Sequence, residues 1–323
     1  MSRSVVASLP LRQCMLPGVM AICLLLSAPG AAQAQKKKSG GSSKQKVLQL
    51  LRENTVLHKD LTYARIGSRS LKLNLALPKN AKSPTPLVIW IHGGAWAHGS
   101  KDEVSPAAAL LLVGYAVAHV EYRLTGEAPF PAQIHDCKAA VRWLRANARR
   151  YNIDPDRFAA WGGSAGGHLA TLLGTTSGHR ELDGNVGDDT GVSSEVQVVC
   201  NYFGPLDFPA MMEASRDTTD DLKQAIEQFF GDATPEQREA IIQLASPLAH
   251  VSRGDAPTII VHGDKDSIVP ISINRSFPDA LKKQGVRTEM VVIRGAGHGG
   301  KEFFERKLLL QIVAFFDRAF KGR

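Results

Sequence analysis

The stretch RFAAWGGSAGGHLATLLG, residues 157–174, decides the fold, because a glycine-rich turn joins a short apolar run to a run with helical spacing. Its centre, GGSAG at 162–166, matches the pattern G-x-S-x-G between a predicted strand and a predicted helix. In that setting the serine lies on a strained bend that exposes its hydroxyl, and Gly162 and Gly166 leave room for the helix to fold back. We interpret Ser164 as a nucleophile rather than as an incidental residue of a turn.

Glycine-rich turns also bind phosphates and dinucleotides, and the neighbouring residues argue against both uses. No lysine follows the 162–166 cluster, as a phosphate-binding loop would require. A G-x-G-x-x-G pattern does occur at Gly295, Gly297 and Gly300, but it follows the last predicted strand and no further βα unit succeeds it. Neither nucleotide-binding site is predicted.

The pattern along the chain predicts strands that alternate with helices, which is typical of a doubly wound, mainly parallel α/β sheet. The predicted strands are 86–94, 115–124, 157–163, 196–204, 257–263 and 287–295, and the predicted helices are 131–151, 165–174 and 301–320. Residues 207–250 interrupt the alternation with two predicted helices, 218–231 and 234–245, which we interpret as a small cap. A polar loop at 178–195 is unusually long, which suggests a functional or mobile segment.

A serine nucleophile needs a base, and His298 is our candidate. It follows the last predicted strand in GAGHGG, so its loop reaches the edge of the sheet where the serine is exposed. His168 is nearer in sequence, but it lies one turn inside the helix and faces away from the hydroxyl. Three further histidines lie in predicted loops and are expected to brace them through backbone hydrogen bonds: His92, His98 and His262.

The base needs an acid to orient it, and Asp266 is preferred. It follows the strand 257–263 in HGDKDSIVP, and the chain order serine, acid, histidine then matches the arrangement that accompanies G-x-S-x-G. Asp264 lies two residues earlier, and Asp207 follows the preceding strand in GPLDF. Both remain open alternatives at this stage.

The segment HGGAW at 92–96, after an early strand, supplies the candidate oxyanion hole. We predict that the backbone N–H groups of Gly94, Ala95 and Ala165 bind a developing oxyanion, and loss of one such donor typically costs about 10²–10³ in rate. Trp96 is either a wall of the acyl pocket or an aromatic residue packed under the loop.

The N-terminal 46 residues differ from the rest of the chain. Residues 1–34 combine two arginines, an apolar run and Ala-Gln-Ala, which predicts a secretory signal peptide cleaved before Gln35. Residues 35–46 form a basic, Gly/Ser-rich segment that we expect to be a disordered tether, and residues 47–323 form the folded domain. The apolar run is too short to span a membrane, so the mature protein is predicted to be exported without a membrane segment.

The net charge of +8 belongs mainly to this N-terminal region. Seven basic residues and no acidic residue precede residue 47, which leaves about +1 on the predicted domain. A basic face for nucleic acid is therefore not expected. Of the four cysteines, Cys137 and Cys200 lie in the domain, and their apolar surroundings predict two buried thiols, although an exported protein could pair them. No cysteine or histidine spacing indicates a zinc site.

Five motifs together resemble the α/β-hydrolase esterases of the hormone-sensitive-lipase-like group, and most of all the xylan deacetylase/feruloyl esterase (BD-FAE-like) carbohydrate esterases. They are IHGGAW (91–96), EYRL (121–124) with the run 130–170, NYFGPLDF (201–208), HGDKDSIVP (262–270) and GAGH (295–298). The resemblance covers roughly residues 55–320. It implies an α/β-hydrolase fold with an eight-stranded, mainly parallel sheet and a short helical cap. Ala95 stands where many relatives carry a glycine, and the short cap weakens the case for long-chain lipid substrates.

The resemblance also implies hydrolysis of a carboxylic ester through an acyl-enzyme, with Ser164, His298 and Asp266 as the triad and no cofactor or metal. Export suggests an ester on a small molecule or on plant polysaccharide, such as an acetyl or feruloyl group. Two other functions stay open: hydrolysis of an amide or formamide by the same residues, and a non-catalytic binding role on the same fold. The sequence does not indicate the oligomeric state.

Overall fold

A computed structural model describes residues 43–217 and 219–321. Within them, eight strands form one sheet in the order β1-β2-β4-β3-β5-β6-β7-β8. The strands are β1 Thr55–Ile66, β2 Arg69–Pro78, β3 Thr85–Ile91, β4 Ala116–Val120, β5 Ile153–Gly163, β6 Val198–Tyr202, β7 Thr258–Gly263 and β8 Thr288–Ile293. Strand β2 pairs antiparallel with β1 and β4, and every other pairing is parallel. The mainly parallel, eight-stranded α/β-hydrolase fold is confirmed.

Helices cover both faces of this sheet. They are α1 Ser43–Asn54, α2 Ala132–Ala146, α3 Ala165–Thr175, α4 Arg180–Asp183, α5 Phe208–Ala214, α6 Asp220–Phe230, α7 Pro235–Leu244, α8 Ser276–Lys283 and α9 Arg306–Lys321. Short 3-10 helices occur at Pro106–Val113, Ser215–Asp217, Pro247–His250, Ile271–Asn274 and Lys301–Phe304.

The central strands are buried on both faces, and their side chains alternate between two cores. In β6, Val199 belongs to the core beneath α2 and α3, whereas Cys200 belongs to the core beneath α9. Cys137, on α2, belongs to the first core. Both cysteines are free and buried, as predicted. Because they belong to different cores, the two thiols lie on different sides of the sheet.

The cap follows β6 and consists of α5, α6 and α7. The predicted helices at 218–231 and 234–245 correspond to α6 and α7, and α7 begins at a capping box between Thr234 and Gln237. Helix α5 had not been predicted, because a seven-residue segment is too short to show a clear periodicity. Helix α6 buries Ala225, Ile226, Phe229 and Phe230 against the rest of the domain.

The polar loop at 178–195 contains the short helix α4 and is fastened along α2. Three basic side chains of α2 bind it: Lys138 donates to Asp183, Arg142 to the carbonyls of Asp183 and Val186, and Arg145 to those of Ser193 and Glu195. Burial lowers the pKa of Lys138, although its bond to Asp183 opposes that effect. The loop is therefore fixed to a helix of the core.

The predicted signal peptide, residues 1–34, lies outside the described residues. The predicted tether at 35–46 also lies outside them, except that residues 43–46 begin helix α1 instead of continuing a disordered segment. Among the residues that the structure describes, no helix has the length and apolar character needed to cross a membrane.

Candidate active site

Ser164 occupies the bend between β5 and α3, as the G-x-S-x-G pattern predicts. Its backbone is in the left-handed region, with φ 55° and ψ −123°, and such a conformation costs a residue other than glycine about 1–3 kcal/mol. Two hydrogen bonds hold the bend: the Ser164 N–H donates to the Tyr202 carbonyl at 2.8 Å, and the His168 N–H donates to the Ser164 carbonyl at 3.0 Å. The neighbouring strand and the first turn of α3 therefore maintain the strained serine.

The two glycines that flank the serine are required by close backbone approaches. A Cβ atom on Gly162 would collide with the backbone of Gly166, which is the predicted collision between helix and strand. A Cβ atom on Gly166 would instead collide with the carbonyls of Ile91 and His92. The second glycine thus allows α3 to approach the end of β3, where the candidate oxyanion loop begins.

Ser164, His298 and Asp266 form one hydrogen-bonded chain. The Ser164 Oγ lies 2.8 Å from the His298 Nε2, and the His298 Nδ1 lies 2.8 Å from the Asp266 Oδ2. His298 is 15% exposed, whereas the Asp266 side chain is fully buried. The proton on Nδ1 faces the carboxylate, so Nε2 is free to accept the serine proton.

Asp266 is held as a carboxylate by several donors. Its Oδ1 accepts the N–H groups of Ile268 at 3.0 Å and Val269 at 2.9 Å. Burial alone would raise the pKa of Asp266, but hydrogen bonds from His262 and His298 outweigh it, and the pKa lies well below its ordinary value. The acid is therefore ionised at neutral pH.

His262 is a buried residue of β7 that the sequence had suggested only as a brace for a loop. Its Nε2 lies 2.8 Å from the Val269 carbonyl and 3.3 Å from the Asp266 Oδ2, while its Nδ1 lies 3.2 Å from the Asn274 Nδ2. Asn274 also donates to the Gly204 carbonyl at 2.7 Å. The contact between His262 and Asn274 was not predictable from the sequence, because Asn274 lies in a 3-10 helix that gave no sequence signal.

The alternative acids and base have other partners. Asp264 is exposed and accepts the Gly295 N–H at 2.6 Å, and Asp207 is the N-cap of α5, where it accepts the Ala210 N–H at 3.0 Å. His168 is buried, and its ring bonds to Trp96 and Ala245, whereas the Ser164 hydroxyl bonds to His298.

Phe203 is a further neighbour of the candidate base that sequence reasoning missed. Its ring centroid lies 4.7 Å from that of His298 and 4.7 Å from that of Phe303, both in edge-to-face geometry. Phe203 has φ 43°, and its N–H donates to the Val261 carbonyl at 2.9 Å. The Phe203 ring therefore packs against the imidazole of His298.

The candidate oxyanion loop has three consecutive residues with positive φ: Gly94 at 102°, Ala95 at 50° and Trp96 at 60°. The Gly94 and Ala95 N–H groups form no hydrogen bond with any atom of the described residues. Ala165 is the first residue of α3, where an N–H has no acceptor within the helix. The three predicted donors thus have no acceptor among the described residues, and their binding of an oxyanion stays a prediction.

Comparisons with known proteins agree with this geometry. The BD-FAE family model matches residues 73–281, well over half of the chain. The chain belongs to the BD-FAE family.

Relatives of this BD-FAE chain include esterases and carbohydrate esterases. Esterase LipC of Mycobacterium tuberculosis is 30% identical over 221 residues, which are 67% of this chain and 53% of LipC. The chain spans about half the length of the curated relatives it matches.

Two solved structures are similar over most of the domain. A truncated carbohydrate esterase from gut microbiota has a TM-score of 0.74 at 29% identity, covering 83% of this chain and 97% of that one. A bifunctional GH43-CE protein of Bacteroides eggerthii has a TM-score of 0.71 at 33% identity, covering 82% of this chain and 35% of that one.

Trp96 of this BD-FAE chain is packed beneath the cap and is 2% exposed. Its ring lies 4.7 Å from Phe229 of α6, 5.7 Å from Phe208 of α5 and 5.4 Å from His168 of α3, measured between centroids. The structure thus shows the packed arrangement that the sequence left open, and a role in lining an acyl pocket stays a prediction.

Proposed function

We propose that this BD-FAE protein is a serine carboxylester hydrolase that acts through an acyl-enzyme. The observation that carries the proposal is the pair of 2.8 Å contacts that connect the Ser164 hydroxyl to His298 and His298 to the buried Asp266. Esterases among the relatives support the same reaction class.

In the proposed first half-reaction, the Ser164 Oγ attacks the ester carbonyl carbon and its proton passes to the His298 Nε2. Asp266 stabilises the resulting imidazolium. The N–H groups of Gly94, Ala95 and Ala165 bind the oxyanion of the tetrahedral intermediate. When the intermediate collapses, the bond to the leaving alcohol breaks, and His298 gives that oxygen its proton.

In the second half-reaction, water attacks the acyl-serine while His298 accepts a proton from it. The second tetrahedral intermediate collapses to the free acid, and the proton returns to Ser164.

We further propose that the substrates are acetyl or feruloyl esters of plant polysaccharide and that the protein is exported. Support for the substrate comes from the carbohydrate esterases among the similar structures. Support for export comes from the sequence of residues 1–34. Cleavage before Gln35 can be tested by expressing the full chain and sequencing the N-terminus of the exported product; retention of residues 1–34 in the cytoplasm contradicts it.

The test of the reaction is kcat/KM on acetylated xylo-oligosaccharide and on methyl ferulate, with Ser164→Ala as the blank. We expect hydrolysis of at least one substrate far above the blank, with preference for one acyl group. Wild-type rates equal to the blank on both would contradict the polysaccharide-ester proposal. An aryl acetate and an aryl formamide, assayed in parallel, separate a different ester specificity from amide hydrolysis.

A further inference from the structure

His168 connects three elements of the molecule through its side chain and its own helix. The Trp96 Nε1 donates to the His168 Nδ1 at 3.2 Å, and the His168 Nε2 lies 2.6 Å from the Ala245 carbonyl. Trp96 belongs to the oxyanion loop, His168 to the helix that follows Ser164, and Ala245 is the C-cap residue of α7. One buried imidazole thus bonds to the loop and to the cap at once.

The contacts of His168 define its protonation. Because Nδ1 accepts the indole proton, the ring hydrogen is on Nε2 and is donated to the Ala245 carbonyl. The side chain is fully buried, and burial lowers its pKa to about 4, although the bond to Ala245 opposes that effect. A neutral imidazole is therefore the form that both contacts need.

The contact with Trp96 is made at a strained position. Trp96 and Ala95 both have left-handed backbone conformations, which bulky residues rarely adopt without support. Two hydrogen bonds fix Trp96: its carbonyl accepts the Thr125 N–H at 3.0 Å, and its indole donates to His168. The indole contact is the one that reaches beneath the cap.

The cap contacts the same pair of side chains from every one of its helices. Phe208 of α5 lies 4.7 Å from the His168 ring centroid, and Phe229 of α6 lies 4.7 Å from that of Trp96. At the end of α7, the Ala245 carbonyl accepts a hydrogen bond from the His168 Nε2. All three cap helices therefore contact Trp96 or His168, and the same two side chains are bonded to each other beneath the candidate oxyanion loop.

We propose that His168 is a positioning residue: through Trp96 it holds the oxyanion loop in its strained conformation, and through Ala245 it couples that conformation to the seating of the cap. The proposal rests on the proposed function, since the loop matters only if Gly94 and Ala95 bind an oxyanion. Displacement of these donors lowers the rate of acyl transfer without removing any member of the triad.

Two substitutions separate the contacts of His168. An asparagine places an amide oxygen near the position of Nδ1, so His168→Asn can still accept from Trp96 but does not reach Ala245. A glutamine places an amide nitrogen near the position of Nε2, so His168→Gln can still donate to Ala245 but offers no acceptor to the indole. Trp96→Phe removes the same contact from the other side and keeps an aromatic ring.

We expect His168→Gln and Trp96→Phe to lower kcat on an aryl acetate about 10- to 100-fold with little change in KM, because a displaced donor costs part of the 10²–10³ that a deleted one costs. The double variant His168→Gln/Trp96→Phe is expected to have the same kcat as either single variant, because both substitutions remove the same contact. His168→Asn keeps the contact with Trp96 and loses only the contact with Ala245, so we expect a smaller loss of kcat, and the size of that loss measures the coupling to the cap. Equal kcat for His168→Asn and His168→Gln, or a wild-type kcat for Trp96→Phe, overturns the proposal.

A readout independent of activity separates this proposal from the proposed function. Hydrogen exchange of the Trp96 indole N–H, assigned by its absence in Trp96→Phe, is expected to be slow in the wild type and in His168→Asn and fast in His168→Gln. Wild-type hydrolysis equal to that of Ser164→Ala overturns the proposed function itself. Hydrolysis by the wild type with the same indole exchange in all folded variants overturns only the role of His168.

Discussion

Two buried histidines, His262 and His168, support two different parts of the candidate site, and they do so in different ways. On the acid side, defined by Asp266, His262 and Asn274, the contacts converge on a carboxylate. On the oxyanion side, defined by Trp96, His168 and Ala245, every partner is neutral and the strain lies in the backbone. The acid side therefore fixes a charge, and the oxyanion side fixes a position.

This difference predicts that substitutions on the two sides will have different consequences. Removing a donor from a buried carboxylate leaves the charge less stabilised and changes its protonation. Removing a contact from a neutral aromatic cluster leaves charges unchanged and lets a strained loop relax. The acid side is expected to respond through proton transfer, and the oxyanion side through geometry and stability.

The largest expected effect comes from Asp266→Asn. The amide oxygen cannot replace the charge that stabilises the His298 imidazolium, and the amide nitrogen favours the wrong tautomer of that ring. We expect kcat to fall about 10⁴-fold on any ester that the wild type hydrolyses. Asp264→Asn is the matched control: it lies two residues away, is exposed, and should remain close to the wild type. Equal losses in both variants would contradict the assignment of the acid.

A smaller loss is expected from His262→Leu, which removes a hydrogen bond from Asp266 while leaving the triad intact. Hydrogen bonds to charged groups contribute about 1.5–3 kcal/mol, so kcat should fall about 10- to 100-fold. His262→Gln, whose amide nitrogen can still donate toward Val269 and Asp266, should recover part of the loss. If the two variants have the same kcat while both fold, His262 supports the strand and not the carboxylate.

The oxyanion side is expected to have its own pH signature in stability. The folded-state pKa of His168 is lowered to about 4 by burial, below the roughly 6.5 of an unfolded chain. Between these values the unfolded state binds more protons, so the free energy of unfolding falls as pH falls from about 6.5 to about 4. His168→Leu should lose this dependence, a difference of about 2–3 kcal/mol across the window.

Denaturant unfolding of both proteins at several pH values measures this difference. Asp266→Asn provides the contrast, because the lowered pKa of Asp266 gives stability that is complete above about pH 4 and is lost only below it. If His168→Leu and the wild type have parallel profiles between pH 4 and 6.5, the buried histidine is not neutral in the folded state.

The smallest effect on activity is expected from Asp207, the alternative acid that the sequence analysis left open. Asp207 caps α5 instead of orienting His298, so Asp207→Ala should lower the free energy of unfolding by about 1 kcal/mol. Its kcat/KM should stay close to that of the wild type. A loss of activity comparable to that of Asp266→Asn would place the functional acid after β6.

Sequence reasoning predicted the parts of this molecule that carry local signals. Apolar runs identified the central strands, because strands buried on both faces lack polar positions. Gly162 and Ser164 were predictable because the bend has a sequence pattern of its own. The structure brings Asp266 to His298, as the sequence analysis preferred, and Asp264 accepts from Gly295 instead.

The supporting residues could not be predicted in the same way. The contacts of His168 join residues 96, 168 and 245, and those of His262 reach residue 274. Such contacts depend on the tertiary arrangement of four segments, and a single histidine on an apolar helix gives no indication of its partners. The strain at Trp96 was equally invisible, since its positive φ arises from the fold of the loop.

The two free thiols lie in different cores, so their reactivity can report on the local unfolding of each face of the sheet. Cys137 lies in the core beneath α2 and Cys200 in the core beneath α9, and burial raises the pKa of both thiols. Neither thiolate forms readily while the cores are closed, so a thiol reagent reacts only when one face of the sheet separates. The labelling rates of the two cysteines therefore measure how independently the two layers of helices come away from the sheet.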